Sequence, residues 1–99
     1  MKRIAVAAVA VLGLAGAARA EEAAVLFAKK CAVCHGKDGK GDTPMAKRLG
    51  AKDLTAVKLS QAEIAKVIAE GRGKMTPFRG KMSDAEIDAV AKYVKNGLK

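Results

Sequence analysis

Aromatic side chains are scarce in this sequence of 99 residues, which contains one tyrosine, two phenylalanines and no tryptophan. It also has no internal repeat and no sustained strand-like alternation, so the pattern does not favour a repeat protein or a β-sheet domain. The length allows one domain at most, and the apolar fraction of 51% excludes a disordered tail. Because many apolar residues are alanines, the composition predicts that something besides side chains fills the centre of the fold.

The first twenty residues differ from the rest of the chain. A positively charged start at residues 1–3 is followed by fifteen residues that contain only Ala, Val, Ile, Leu and Gly, and then by Ala18-Arg19-Ala20. This order predicts a secretory signal peptide over residues 1–20, cleaved after Ala20. A retained membrane anchor is the alternative, but the apolar run is shorter than the roughly 20 residues that span a bilayer. We therefore expect a periplasmic domain over residues 21–99, with no stable membrane insertion after cleavage.

Apolar residues after position 20 recur at helical spacing and predict an all-α domain. The first helix is expected over residues 23 to about 32, and a short second helix over residues 44–49. Ser60 and Ser83 are each followed three residues later by glutamate, which is the capping-box pattern that starts a helix. A glycine follows each of these two later helices and is expected to end it.

The two cysteines and the single histidine lie together in Cys31-Ala32-Val33-Cys34-His35. This C-x-x-C-H pattern is the attachment signature of c-type haem. On one helical turn Cys31 and Cys34 share a side of the helix, where two thiols can add to the two vinyl groups of one porphyrin. His35 then stands beneath the iron as an axial ligand. The sequence thus predicts one covalent haem c held by Cys31, Cys34 and His35.

Two other uses of the cysteines are less favoured. A C-x-x-C pair can form a redox disulfide, but such oxidoreductases carry the pair near a βαβ pattern, which this sequence does not show. A zinc site needs about four protein ligands. The motif supplies three, so zinc would need a carboxylate or a second chain. A histidine satisfied in the core is the usual interpretation of a lone His, but it leaves both cysteines unexplained.

The second axial ligand is expected to be a methionine, because the chain has no other histidine. Met82 has the position of a hydrophobic-staple residue just before a helix. Met45 is only ten residues past His35, from where the opposite haem face is difficult to reach. Met75 lies in a loop between two predicted helices, and we expect its neutral thioether to ligate the iron and to raise the reduction potential.

The other ring nitrogen of His35 needs an acceptor if the ring is to be held in place, because metal-bound histidines usually donate that N–H to a carbonyl or a carboxylate. The backbone carbonyl of Pro44 is the expected acceptor. Pro44 also suits the first turn of the short predicted helix, and both roles can hold.

These features resemble the class I c-type cytochromes, in particular the short bacterial single-haem kind, over essentially all of residues 21–99. The resemblance rests on Phe27, on C-x-x-C-H-G, on the loop through Pro44, on Met75-Thr76-Pro77-Phe78 and on residues 83–94. It implies a cytochrome c fold of three to four helices around one covalently bound haem, with Phe27 near Val90 and Tyr93. Two departures are Ala23, where the family often has glycine, and the missing tryptophan that often lies near the haem.

These features predict a soluble one-electron carrier rather than an enzyme, because iron with His and Met ligands has no open coordination position for a substrate. Two further classes stay open. A haem-based ligand sensor would require Met75 to dissociate from the iron or not to ligate it. A haem subunit of a larger oxidoreductase complex would copurify with its partner.

Cations outnumber acidic residues 19 to 10, which gives a formal charge of +9, or +6 without the three cations of residues 1–20. Six of them fall in segments that could ring the haem edge: Lys37, Lys40, Lys47, Lys74, Arg79 and Lys81. Such a ring would steer the carrier, expected to be a monomer, to redox partners with acidic docking surfaces. An ordinary solvated surface is the alternative. Nucleic acid is a poor interpretation of the charge, since an exported chain without a basic stripe and aromatics does not fit it.

Overall fold

The computed structural model describes residues 21–99, and the predicted signal peptide over residues 1–20 lies outside the described part. Residues 21–26 are α-helical, Phe27–Cys31 form one π-helical turn, and Ala32–His35 return to α-helix. We call this continuous segment, residues 21–35, α1. It runs past the predicted end near residue 32, because nothing breaks the helix before Gly36, whose φ of +85° suits glycine.

The short second helix, α2, spans Pro44–Leu49, as predicted. Thr43 caps it by accepting a hydrogen bond from the N–H of Ala46 at 3.0 Å, and Pro44 occupies the first turn, where no N–H partner is needed. Gly50 ends α2 in the left-handed region, with a φ of +69°. A 3₁₀ turn over Leu54–Ala56 follows.

Two longer helices complete the fold: α3 spans Gln61–Glu70 and α4 spans Asp84–Lys95. Both predicted capping boxes are present. Ser60 accepts from the N–H of Glu63 at 3.1 Å, while the Glu63 carboxylate accepts from the N–H of Ser60 at 3.0 Å. The Ser83 and Glu86 pair repeats this arrangement at 3.1 and 2.8 Å. The helix starts were therefore predictable from local sequence.

The end of α4 folds the last residues back towards the rest of the chain. Gly97 donates to the carbonyl of Val94 at 3.0 Å, and Leu98 donates to the carbonyl of Tyr93 at 2.8 Å, the pattern of a Schellman motif. The side chain of Leu98 lies against Gly39, where an added Cβ would come within 2.5 Å of Leu98 Cδ1. The end of the chain thus packs onto the loop that follows α1.

The core joins α1, α3 and α4. Phe27 and Val90 are the largest fully buried side chains among the described residues, and the Phe27 ring lies 5.7 Å from the ring of Tyr93. This confirms the packing of Phe27 that the resemblance implied. The same cluster also holds these buried residues: Cys31, Ile64, Ile68, Ala69, Met82, Ile87, Ala91 and Val94.

The all-α class is confirmed for residues 21–99. Extended backbone pairs there only in two isolated bridges, between Arg72 and Met75 and between Arg79 and Met82, and no strand forms. Within that same range, none of the helices has the length and apolar character to cross a membrane.

Candidate haem-attachment site

Cys31 and Cys34 lie near the carboxyl end of α1, and both are free thiols. Cys31 belongs to the core cluster and is 7% exposed, whereas Cys34 is half-buried. The π-helical turn ends at Cys31, and the N–H of Ala32 donates to the carbonyl of Phe27, five residues back. Single π-turns inside α-helices are frequent at functional sites. The regular α-helical period resumes at Ala32 and continues through Cys34 and His35.

The acidity of Cys31 differs from that of a redox cysteine. Burial, with a smaller effect of the charge of Cys34, raises the pKa of Cys31 to about 11, so the thiol is protonated at neutral pH. The attacking thiol of a redox C-x-x-C pair has a lowered pKa and an accessible thiolate. The surroundings of Cys31 therefore differ from those of the attacking thiol in a redox C-x-x-C pair.

The imidazole of His35 is held by a backbone carbonyl. Its Nδ1 lies 3.0 Å from the carbonyl oxygen of Lys52. In the tautomer with a proton on Nδ1, this nitrogen donates to Lys52 and leaves Nε2 free to bind a metal. The prediction that Pro44 is the acceptor is corrected by this contact. Pro44 lies in the first turn of α2, where carbonyls accept from N–H groups four residues further along the helix.

Two loops meet beside His35 and bring Lys52 to the ring. The N–H of Gly41 donates to the carbonyl of His35 at 2.9 Å, and the N–H of Leu54 donates to the carbonyl of Gly39 at 2.6 Å. The first bond ties the loop 36–42 to the end of α1, and the second ties Leu54, two residues after Lys52, to the same loop. Sequence reasoning missed Lys52 and Gly41, because an acceptor on the backbone leaves no signature in residue type.

The three methionines of the described chain have different surroundings. Met82 is 6% exposed in the core, as expected for a staple residue, and Met45 is 42% exposed on α2. Met75 is half-buried, packs against the core cluster and donates its N–H to the carbonyl of Arg72 at 2.9 Å. Gly71 permits this turn, since a Cβ there would lie 2.5 Å from the carbonyl oxygen of Met75. Met75 is thus the methionine committed neither to the core nor to solvent.

The donor set and its surroundings fit haem c. Two thiols lie three residues apart on one helix, the imidazole has its second nitrogen engaged, and a thioether is available in a separate loop. Partly buried apolar side chains surround the cluster that contains Cys31, as suits a large apolar group. They include Leu54, Val57, Leu59, Met75 and Phe78.

The cations of these loops lie on the surface. All six cations expected to ring the haem edge are exposed. Val33, between the two cysteines, is 62% exposed. Across residues 21–99, no three or more His, Cys, Asp and Glu side chains come together in a way that could hold a metal ion.

Comparison with known families matches residues 18–94 to the family described as cytochrome c oxidase, cbb3-type, subunit III. The matched segment contains both cysteines, His35 and Met75. No solved structure gave a significant match.

Individual relatives fall into two groups. The cbb3-type cytochrome c oxidase subunit FixP of Azorhizobium caulinodans is 39% identical over 80 residues, which cover 76% of this chain and 26% of FixP. Cytochrome c6 of Leptolyngbya boryana is 39% identical over 70 residues, 70% of this chain and 81% of that protein. Cytochrome c6 of Microcystis aeruginosa is 36% identical over 74 residues, with shares of 74% and 90%. The chain thus spans about a quarter of FixP and most of each cytochrome c6.

Proposed function

The chain belongs to the class I c-type cytochromes, within the family described as cytochrome c oxidase, cbb3-type, subunit III, and from this membership we propose that it is a periplasmic carrier of single electrons. Its cofactor is one covalently bound haem c. When bound, this haem supplies reversible one-electron oxidation and reduction of its iron. The all-α fold of residues 21–99 agrees with the cytochrome c fold.

The observation that carries the proposal is the arrangement of Cys31, Cys34 and His35 at the end of α1. The two thiols form the thioether bonds, and His35 follows them directly with its Nδ1 held 3.0 Å from the Lys52 carbonyl. That bond orients the ring and leaves Nε2 as the iron ligand. Cys31 sits within the core cluster, so the attached group lies against the apolar centre of the fold.

Met75 is proposed as the second axial ligand. Its surroundings support this role, because its side chain is half-buried beside the core and its backbone is held in a tight turn. With His35 and Met75 as its two axial ligands, the iron would have no open coordination position for a substrate. The chain by itself is therefore proposed to carry electrons without catalysing a reaction.

Export completes this proposal. Residues 1–20 are proposed as a cleaved signal peptide and residues 21–99 as the cytochrome domain. The family match supports this division, because it begins at residue 18 and so starts close to the proposed cleavage site. Redox proteins with acidic docking surfaces are the proposed partners, because the six cations expected to ring the haem edge are exposed.

A second candidate function is a haem subunit of a larger oxidoreductase complex. The match to FixP favours it, because that relative is by name a subunit of a cbb3-type cytochrome c oxidase. The chain covers only 26% of FixP, however, and covers 81% and 90% of the two cytochromes c6. The predicted signal peptide and the match to most of each cytochrome c6 favour the free carrier.

The test is an intact mass under denaturing conditions, on protein exported by a host that matures c-type cytochromes. We expect the mass of residues 21–99 plus one haem, and Cys34→Ala is expected to impair maturation and leave one thioether at most. A bare polypeptide with paired or free cysteines would reject the cytochrome function for this chain. A full yield of normal holoprotein from Cys34→Ala would reject the attachment role of Cys34.

Purification from the native host distinguishes a free carrier from a subunit of a larger complex. A carrier elutes at the size of a monomer and transfers electrons when mixed with its partner. A subunit remains with a larger complex through mild purification, and this result would favour the second candidate.

A further inference from the structure

We propose that Gly41 is a positioning residue for the axial histidine. By having no side chain, it lets the backbone of residues 51–52 come close enough for the Lys52 carbonyl to hold the His35 ring, and so it helps to set the reduction potential. This inference rests on the proposed function, since it requires His35 to bind the haem iron.

Gly41 contacts both partners of the ring contact. Its N–H donates to the carbonyl of His35 at 2.9 Å, which ties the loop to the end of α1. On its other side, an added Cβ would lie 2.8 Å from the carbonyl oxygen of Ala51 and 3.1 Å from that of Lys52. Real Cβ atoms essentially never approach other atoms within 3.0 Å. Gly41 is therefore wedged between the residue that binds iron and the segment that holds its ring.

The atoms that a Cβ would meet cannot turn aside. All three nearest ones belong to the backbone of Ala51 and Lys52, so relief requires the whole segment to move. The same movement carries away the Lys52 carbonyl, which is now 3.0 Å from Nδ1 of His35. A displacement of a few tenths of an ångström takes this contact towards about 3.5 Å, where a hydrogen bond is largely lost.

The hydrogen bond has a direct effect on the ligand. An imidazole that donates through Nδ1 is a more basic ligand at Nε2 and so stabilises the ferric state. Weakening the bond lowers that stabilisation and raises the reduction potential. Loss of such a partner typically changes metal affinity by about 10–100-fold. We expect the loss to fall on the ferric state, and a tenfold change in the ferric-to-ferrous ratio corresponds to about 59 mV for a one-electron couple.

A matched glycine separates this effect from backbone strain. Gly41 has a φ of +66°, so alanine there is strained whatever the space around it. Gly80 also has a positive φ, +89°, but nothing lies within 4 Å of an added Cβ. Gly80→Ala therefore adds the strain without moving any neighbour of His35.

The experiment measures the reduction potential of the wild-type, Gly41→Ala and Gly80→Ala holoproteins, each with its haem content verified by intact mass. We expect Gly41→Ala to raise the reduction potential by about 59 mV and Gly80→Ala to keep the wild-type potential. An unchanged potential in Gly41→Ala, or an equal shift in both variants, would overturn the proposal.

A second measurement needs no variant and holds even if Gly41→Ala does not fold. In the NMR spectrum of the reduced wild-type holoprotein, we expect the Nδ1 proton of His35 to show nuclear Overhauser contacts to Lys52 and Asp53. Contacts to Pro44 and Met45 instead would overturn this inference while leaving the carrier function intact. A wild-type mass without haem would reject the proposed function itself, and the inference with it.

Discussion

The ring of Phe27 lies 5.7 Å from the ring of Tyr93, with the two planes inclined by 52°, and this contact joins α1 to α4. Tilted aromatic pairs at this separation are stabilised beyond the area that they bury. The chain has only three aromatic residues, and two of them form this contact. Since Phe27 lies four residues before Cys31 on α1, the contact also places the cysteine segment against the core.

Phe27→Ala is expected to lower the free energy of unfolding by about 3–5 kcal/mol, because it leaves a large cavity in the core. Chemical denaturation of the holoprotein, followed by circular dichroism, measures the change. Val25→Ala on the same helix is the matched control, since Val25 is 51% exposed. Its effect is expected within about 0.5 kcal/mol. A loss for Phe27→Ala no larger than that of Val25→Ala would contradict the packing described for α1 and α4.

The helix starts were predictable from sequence because their causes are local. Thr43 before Pro44, Ser60 before Glu63 and Ser83 before Glu86 each satisfy backbone N–H groups within one turn. The C-x-x-C-H motif was likewise readable, because attachment to one porphyrin fixes the spacing of its residues. The packing of Phe27 came only from the resemblance to a known family.

The contacts that were missed are those made between distant backbone segments. The Lys52 carbonyl reaches His35 because the chain reverses direction at Gly50 and because Gly41 has no side chain to block the approach. No residue pattern in the sequence predicts this contact. Pro44 has the helix-starting role predicted for it and not the role of acceptor. The π-helical turn over Phe27–Cys31 was also not predicted, because a single π-turn requires no particular residue types.

Met75→Ala is expected to lower the reduction potential and to let carbon monoxide bind the reduced protein rapidly, since the thioether that favours ferrous iron is removed. Met45→Ala is the matched control, because Met45 is 42% exposed on α2, and it should behave as wild type in both assays. An unchanged oxidised spectrum and potential in Met75→Ala would show that another residue ligates the iron. Rapid carbon monoxide binding by the wild type would instead favour a ligand sensor.

Glu63 is expected to titrate below the usual range of glutamate. Hydrogen bonds from the backbone N–H and the side chain of Ser60 lower the pKa of Glu63. The lowered pKa of Glu63 therefore stabilises the folded protein at pH values above the pKa that Glu63 has in the unfolded chain. This stabilisation is lost as the pH falls through the lower pKa that Glu63 has in the folded protein. Carbon-detected NMR titration of the Glu63 carboxyl should show its pKa rising in Ser60→Ala and unchanged in Ser83→Ala. A wild-type pKa within the usual range of glutamate would contradict the capping box in solution, whereas Ser60→Ala raises it only in part because it keeps the backbone N–H that contributes most.

Oxidation of the reduced protein by ferricyanide, a small anion, is expected to slow as the ionic strength rises, because residues 21–99 carry a net charge of +6 and the six cations proposed to ring the haem edge are exposed. A cationic cobalt phenanthroline oxidant should show the opposite dependence. Lys37→Glu, in the loop after His35, should slow the ferricyanide reaction more than Lys66→Glu on α3, and stopped-flow absorbance measures both. A rate that does not depend on salt with either oxidant would reject the basic docking surface.

Leu98, whose side chain lies over Gly39, has a consequence for the order in which the site is completed. A chain is synthesised from its amino end, so Cys31 and Cys34 emerge long before Leu98 and before the α4 residues that bury Cys31. Until those last residues arrive, both thiols are open to solvent and to a maturation enzyme. Because Cys31 is enclosed once α4 has docked, we expect haem attachment to precede that docking.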